Sequence, residues 1–149
     1  MSTQMGNGRD HGHIELSLPA RADVLQLVRI VATFVATQAD LAFEDVADLR
    51  LATDELCASV LTGAATDGGM EIPALRIRYG WDRESVEVSC MLAVSGQAVS
   101  PPSDHDLGAE SEIDAGPSLS RQILGTLVDE HHIEAHRGWL RKRRIGALC

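Results

Sequence analysis

Glu55 and Ser59 stand one helical turn apart in the stretch from Phe43 to Ala64. Val46, Leu49, Leu56 and Val60, with small Ala52 between them, keep a helical spacing, and nothing before Gly63 breaks a helix. On another face of that helix the carboxylate and the hydroxyl can reach a shared ligand. Converging groups of this kind are the parts of a binding or proton-transfer site. Taken alone, the spacing is met as simply by a core helix with solvated polar positions.

Other residues carry less. His132 and His136 would share a face on a helix, as in zinc motifs. In a strand they lie ~13 Å apart, too far for one ion. The strand reading makes His131, His132 and His136 surface histidines. Arg137, Arg141, Lys142, Arg143 and Arg144 form a basic terminus, read as a solvated edge that discourages sheet-to-sheet pairing. Ser118 and Ser120 have no nearby His that would make either a nucleophile. Cys57 and Cys90 fall in a helix and a strand pattern and read as buried thiols, and Cys149 is terminal.

The elements that must position these residues follow from periodicity. Ile14, Leu16 and Leu18 alternate with polar residues, and Pro19 ends that strand. Val24, Leu27, Val28, Val31, Phe34 and Val35 repeat at helical spacing. A loop from Ala39 to Phe43 leads into the helix of Glu55, and Thr66 to Gly69 is a loop by composition. Leu75, Ile77, Tyr79 and Trp81, then Val86, Val88, Cys90, Leu92 and Val94, form a hairpin turning at Asp82-Arg83-Glu84. Ser95 to Gly116 is a long loop carrying Asp104, Asp106, Glu110, Glu112 and Asp114. Pro117 suits a first helical turn, and Leu119, Ile123, Leu124, Leu127 and Val128 mark a third helix. Ile133 to His136 and Trp139 to Ile145 read as a final hairpin. The order β-α-α-β-β-α-β-β predicts a sheet with helices on one face.

The 149 residues suit one domain with a real core. Residues 1–13 read as a flexible tail without the features of a signal peptide, and 14–149 as the domain. The net charge of −9 argues against direct nucleic-acid binding and favours a basic partner. No apolar run approaches membrane-spanning length. A reducing cytoplasm fits the cysteines.

On Leu49-Arg-Leu-Ala-Thr-Asp-Glu-Leu-Cys57 and the order of elements from Ile14 to Ile145, the chain resembles the anti-sigma-factor serine kinases of the RsbW and SpoIIAB kind. These share the ATPase fold of histidine kinases and gyrase. The resemblance implies a two-layer α/β sandwich with a mixed, mostly antiparallel sheet and helices on one face. It implies ATP and Mg²⁺ as ligands, with Glu55 as general base or water positioner. Ser59 stands where the family's Mg²⁺-ligating Asn stands. Ser95-Gly96-Gln-Ala98 takes the place of the adenine-binding Asp-x-Gly-x-Gly, and Gly116-Pro-Ser118-Leu that of the phosphate-binding Gly-rich run.

Three motifs thus depart together. A hydroxyl replaces the Asn amide at Ser59 and the adenine-binding carboxylate at Ser95. Ala98 brings a Cβ where the family has glycine. Pro117 supplies no N–H to a phosphate. No Lys or Arg lies between Glu84 and Arg121 to offset the acidic loop. The expectation is an anti-sigma factor with nucleotide chemistry weakened or lost. It sequesters a sigma factor, is released by a STAS-domain anti-anti-sigma protein and forms a homodimer. The alternatives are an active ATP-dependent serine/threonine kinase acting on the anti-anti-sigma protein, and a switch module binding another ligand.

Overall fold

The computed structural model describes residues 11–64, 73–93, 119–134 and 136–144. Their elements run β1 (Gly12–Pro19), α1 (Leu25–Gln38), α2 (Phe43–Ala64), β2 (Ala74–Trp81), β3 (Ser85–Ala93), α3 (Leu119–Leu127), β4 (Glu130–Ile133) and β5 (Arg137–Arg143). This is the expected order. The strands form one sheet ordered β1-β2-β3-β5-β4. The four pairings are all antiparallel, so the described sheet is not mixed.

Alternation along the strands sorts the two faces. Leu75, Ile77 and Tyr79 of β2, Val86, Val88 and Cys90 of β3, and Leu140 of β5 are buried under the helices. Across the sheet, Arg78 faces Glu15, and Arg141 reaches both Glu87 and Glu130. That outer face is a solvated ionic surface, so the helices make one layer and the sheet the other. The turn between β2 and β3 falls where expected. Asp82 Oδ1 accepts from the amides of Glu84 and Ser85 at 2.7 and 2.8 Å, which lets a carboxylate stand in for a backbone turn bond.

The central helix, α2, seats on the sheet through Val60, Leu56, Ala52 and Leu49, all fully buried. A Cβ added at Gly138 of β5 would lie 2.6 Å from Leu56 Cδ1 and 2.9 Å from the His132 carbonyl. Glycine there lets the helix approach the backbone closely. The turn between α1 and α2 needs Asp40 at φ 57°, a left-handed position that Asp tolerates, and its carboxylate receives Arg144 at 2.9 Å.

Three expectations are corrected. The first strand begins at Gly12, two residues before Ile14. The final hairpin opens with Glu130–Ile133, not Ile133 to His136. This short edge strand, Glu-His-His-Ile, has too little apolar alternation to be located by pattern. The basic run is no edge either. It lies on β5, between β3 and β4, and its cations are held by acidic partners. Arg137 meets Glu134, Arg143 meets Glu130, and Lys142 turns inward to Asp45 and Asp48.

Cys57 and Cys90 are buried, as expected. The Cys57 thiol is pushed well above its ordinary pKa by a hydrogen bond with Cys90 and by burial. Tyr79, fully buried beside them, donates to the Val28 carbonyl at 2.9 Å. Burial raises its pKa well above the usual phenol range, and the two cysteines add to the shift.

Candidate functional site

Helix α2 presents Glu55 half-buried between the fully buried residues of its core stripe. The first turn of α3 meets it there. Ser120 Oγ donates to Glu55 Oε1 at 2.6 Å across 65 positions of sequence, a length typical of a hydroxyl bonded to a charged carboxylate. Ser59, one turn along α2, does not share that contact. Its hydroxyl donates to the Glu55 backbone carbonyl at 2.8 Å, a local bond open to any helical serine. The structure therefore brings Glu55 together with Ser120, and sets Ser59 beside them with its proton engaged elsewhere.

Ser95, Gly96, Ala98, Gly116 and Ser118 lie outside the described residues, as do Pro117, the acidic run from Asp104 to Asp114, and Cys149. Among the described residues, Ser59 stands by itself as a Mg²⁺ ligand candidate beside Glu55. No group of three or more His, Cys, Asp or Glu among them is placed to hold a metal ion. One hydroxyl does not fit an ion that demands near-octahedral geometry. His132 is tied to Glu134 at 3.1 Å, and partial burial with Arg121 and His132 nearby lowers the pKa of His131.

A polar cleft of about 450 Å³ lies between the end of α1 and the β2–β3 turn, lined by Thr37, Gln38, Asp40, Asp82, Arg83 and Arg144. It adjoins the start of α2, and Glu55 lies ~18 Å further along that helix. The cleft and the carboxylate are separate places.

Sequence reasoning set Ser120 aside because it has no His partner, and its partner is the carboxylate. No local spacing could have found this contact, because it joins two helices through tertiary packing. The inward turn of Lys142 had a signal. Gly138, Leu140 and Lys142 alternate on one face of β5, and the first two are buried.

Comparison with known proteins bears on the same residues. No family model matches the chain. Over 141 residues it is 27% identical to the serine-protein kinase RsbW of Bacillus subtilis, covering 90% of this chain and 84% of that one. Over 132 residues it is 26% identical to the serine-protein kinase RsbW of Bacillus velezensis, covering 85% and 80%. Over most of its length the chain is similar to RsbW proteins. A shorter stretch of 67 residues is 39% identical to the anti-sigma-F factor RsbW of Mycobacterium tuberculosis, and spans 44% of this chain and 40% of that protein. The RsbW-like similarity runs through most of the chain, as the order of its elements led one to expect.

Proposed function

We propose that this RsbW-like chain is an anti-sigma factor. It sequesters a sigma factor from RNA polymerase, and a STAS-domain anti-anti-sigma protein releases it. The observation that carries this reading is the similarity to proteins named RsbW, over most of the chain for those named serine-protein kinases and over 44% of it for one named an anti-sigma-F factor. The geometry supports weakened nucleotide chemistry. Both polar groups of the α2 site are hydrogen-bonded within the chain, and Ser59 supplies one hydroxyl where a metal site needs several ligands.

A protein-binding role also has a surface to use. Leu27, Ile30 and Phe34 are 42%, 59% and 51% exposed and lie on one stripe of α1. In the described sheet β1 leaves one backbone edge unpaired. An exposed apolar stripe and an open edge each suit a macromolecular contact, and a homodimer is the form we assign to it. The net charge of −9 suits a sigma factor whose DNA-contacting regions are basic. No helix among the described residues is long and apolar enough to cross a membrane, and we place the protein in the cytoplasm.

Glu55 favours a second reading, an active ATP-dependent serine kinase acting on the anti-anti-sigma protein. The relatives named serine-protein kinases support it. The test is a pull-down with the purified chain against the host's sigma factors and STAS-domain proteins, with and without ATP and Mg²⁺. Capture of a sigma factor in the absence of nucleotide is expected. Failure to retain either class in both conditions would sink the anti-sigma reading and leave a ligand-binding switch. Transfer of labelled phosphate to a STAS protein would favour the kinase.

A further inference from the structure

We infer that the packing of α3 on β4 is an acid-sensitive joint: a proton taken up by His131 sets a second cation beside Arg121 and loosens the helix from the strand. His131 lies in register with Leu140, which is fully buried beneath the helices. Residues paired across neighbouring strands share a face, so the imidazole is turned towards the helices. His132, next along β4, is turned to the outer face. Helix α3 meets the imidazole with a glycine: a Cβ added at Gly125 would lie 3.8 Å from His131 Cε1. One turn before Gly125 stands Arg121, whose guanidinium donates to the Ile133 carbonyl at 3.2 Å. The arginine that ties α3 to β4 is thus neighbour to the imidazole beneath the same helix.

The carboxylates of the surrounding elements are engaged with other groups. On α2, Asp48 faces Lys142 and Glu55 accepts from Ser120. Before β4, Asp129 accepts from the Arg143 amide. On and after β4, Glu130 pairs with Arg141 and Arg143, and Glu134 with Arg137 and His132. Lys142, the cation on the inner face of β5, is held by Asp45, Asp48 and the Leu127 carbonyl. The charges that bear on His131 are those of Arg121 and His132, and together with partial burial they hold its pKa below the ordinary value. The folded chain therefore resists a proton that the unfolded chain takes up near about pH 6.5. Stability from this source is whole above that pH and is lost as pH falls through it towards the lower folded value. The loss falls on α3 and β4, a helix with one fully buried side chain, Leu124, against a four-residue edge strand. Protonation of His132 works the other way, because it strengthens the pairing with Glu134.

The experiment measures amide hydrogen exchange of the full chain between about pH 7.5 and about pH 5.5, expressed as protection factors so that the intrinsic pH dependence of exchange cancels. Protection of α3 and β4 is expected to fall by roughly fivefold, the factor that repulsion between two close unit charges gives even at the dielectric of water. Helix α1 should keep its protection. His131→Gln, which cannot take up a proton, should hold α3 protection level across the range. Arg121→Gln, which keeps a donor for the Ile133 carbonyl but removes the charge, should shrink the fall. Thermal melting near neutral pH checks that each variant is folded, and if His131→Gln is not, Arg121→Gln carries the comparison. Protection of α3 that does not change with pH in the parent chain overturns the joint without any variant. An equal fall in α1, or a fall that survives in folded His131→Gln, overturns it as well. Neither nucleotide nor a partner enters the measurement, so its failure leaves the anti-sigma reading untouched.

Discussion

Helices α1 and α3 flank α2, yet they are fastened in different ways. Helix α1 is held by its core. Val28, Ala32, Val35 and Ala36 are fully buried, and Tyr79 reaches up from the sheet to the Val28 carbonyl. Helix α3 buries Leu124, packs Leu127 against the core, and is fastened at both ends by polar groups. At its C-terminal end Lys142 bonds the Leu127 carbonyl and stands 3.4 Å from both Asp45 and Asp48. At its N-terminal end Ser120 bonds Glu55 and Arg121 bonds the Ile133 carbonyl. A helix held by close packing serves as a fixed wall and can display an apolar stripe outward. A helix held by a few hydrogen bonds has a breakable end, and that end is beside Glu55.

The largest effect is expected from breaking the C-terminal fastening. Lys142 and Asp45 have side chains only 12% and 7% exposed. Lys142→Met keeps the apolar stem but leaves Asp45 charged and buried, and frees the Leu127 carbonyl. The expected cost is about 3 kcal/mol, read from urea unfolding of the variant against the parent. Asp45→Asn in the same chain should recover part of it, because the stranded charge is removed. A cost near zero would mean that α3 is held by packing after all, and the contrast with α1 would fall.

Much of this contrast could not be read from the sequence. The α1 helix, the α2 stripe and the β2–β3 hairpin follow from periods of 3.6 and 2, but the α1 pattern counted Leu27 and Phe34, which are exposed, where Ala32 and Ala36 complete the buried face. The place of Glu55 on α2 was legible from the helical spacing, and the role the resemblance gives it stays an expectation. The contacts that fasten α3 were not. Ser120 and Glu55, or Lys142 and Asp45, are joined only once the sheet order is known, and that order puts β5 inside the sheet where its charges had suggested an edge. Short β4 gave no period to read. The resemblance pointed to five further site residues, from Ser95 to Ser118, which lie outside the described residues, so their roles stay as expectations.

On the α1 side the comparison sharpens with alkaline pH. Tyr79 and Cys57 have raised pKa values in the folded chain, by burial above all for Tyr79 and by the Cys90 hydrogen bond and burial for Cys57. Unfolded, they ionise near about 10 and about 8.5. The folded state thus holds on to protons that the unfolded chain releases. Its stability is fully present below those unfolded values and is lost as pH rises beyond them. Urea midpoints should begin to fall near pH 9, and more steeply above pH 10, where Tyr79 adds about 1.4 kcal/mol per pH unit. Tyr79→Phe should remove the steeper part and leave the earlier one. A Tyr79→Phe chain with an unchanged profile would show that the hydroxyl is not what ties α1 to the core.

The smallest effect on stability is expected at the Ser120–Glu55 bond. Ser120 and Glu55 are both only partly buried, so water can replace the bond once the hydroxyl is gone. Ser120→Ala removes a bond to a charged group, for which about 1 kcal/mol is a reasonable upper figure after solvent compensation. Alanine is also the better helix former, which offsets part of the loss. Chemical unfolding should therefore show a change well below that of Lys142→Met, with the same dependence on urea. The two variants together should add, because they act at opposite ends of α3 without shared partners. A Ser120→Ala cost equal to or above that of Lys142→Met would make the N-terminal end of α3 the firm one. The breakable end would then have to be sought elsewhere in the molecule.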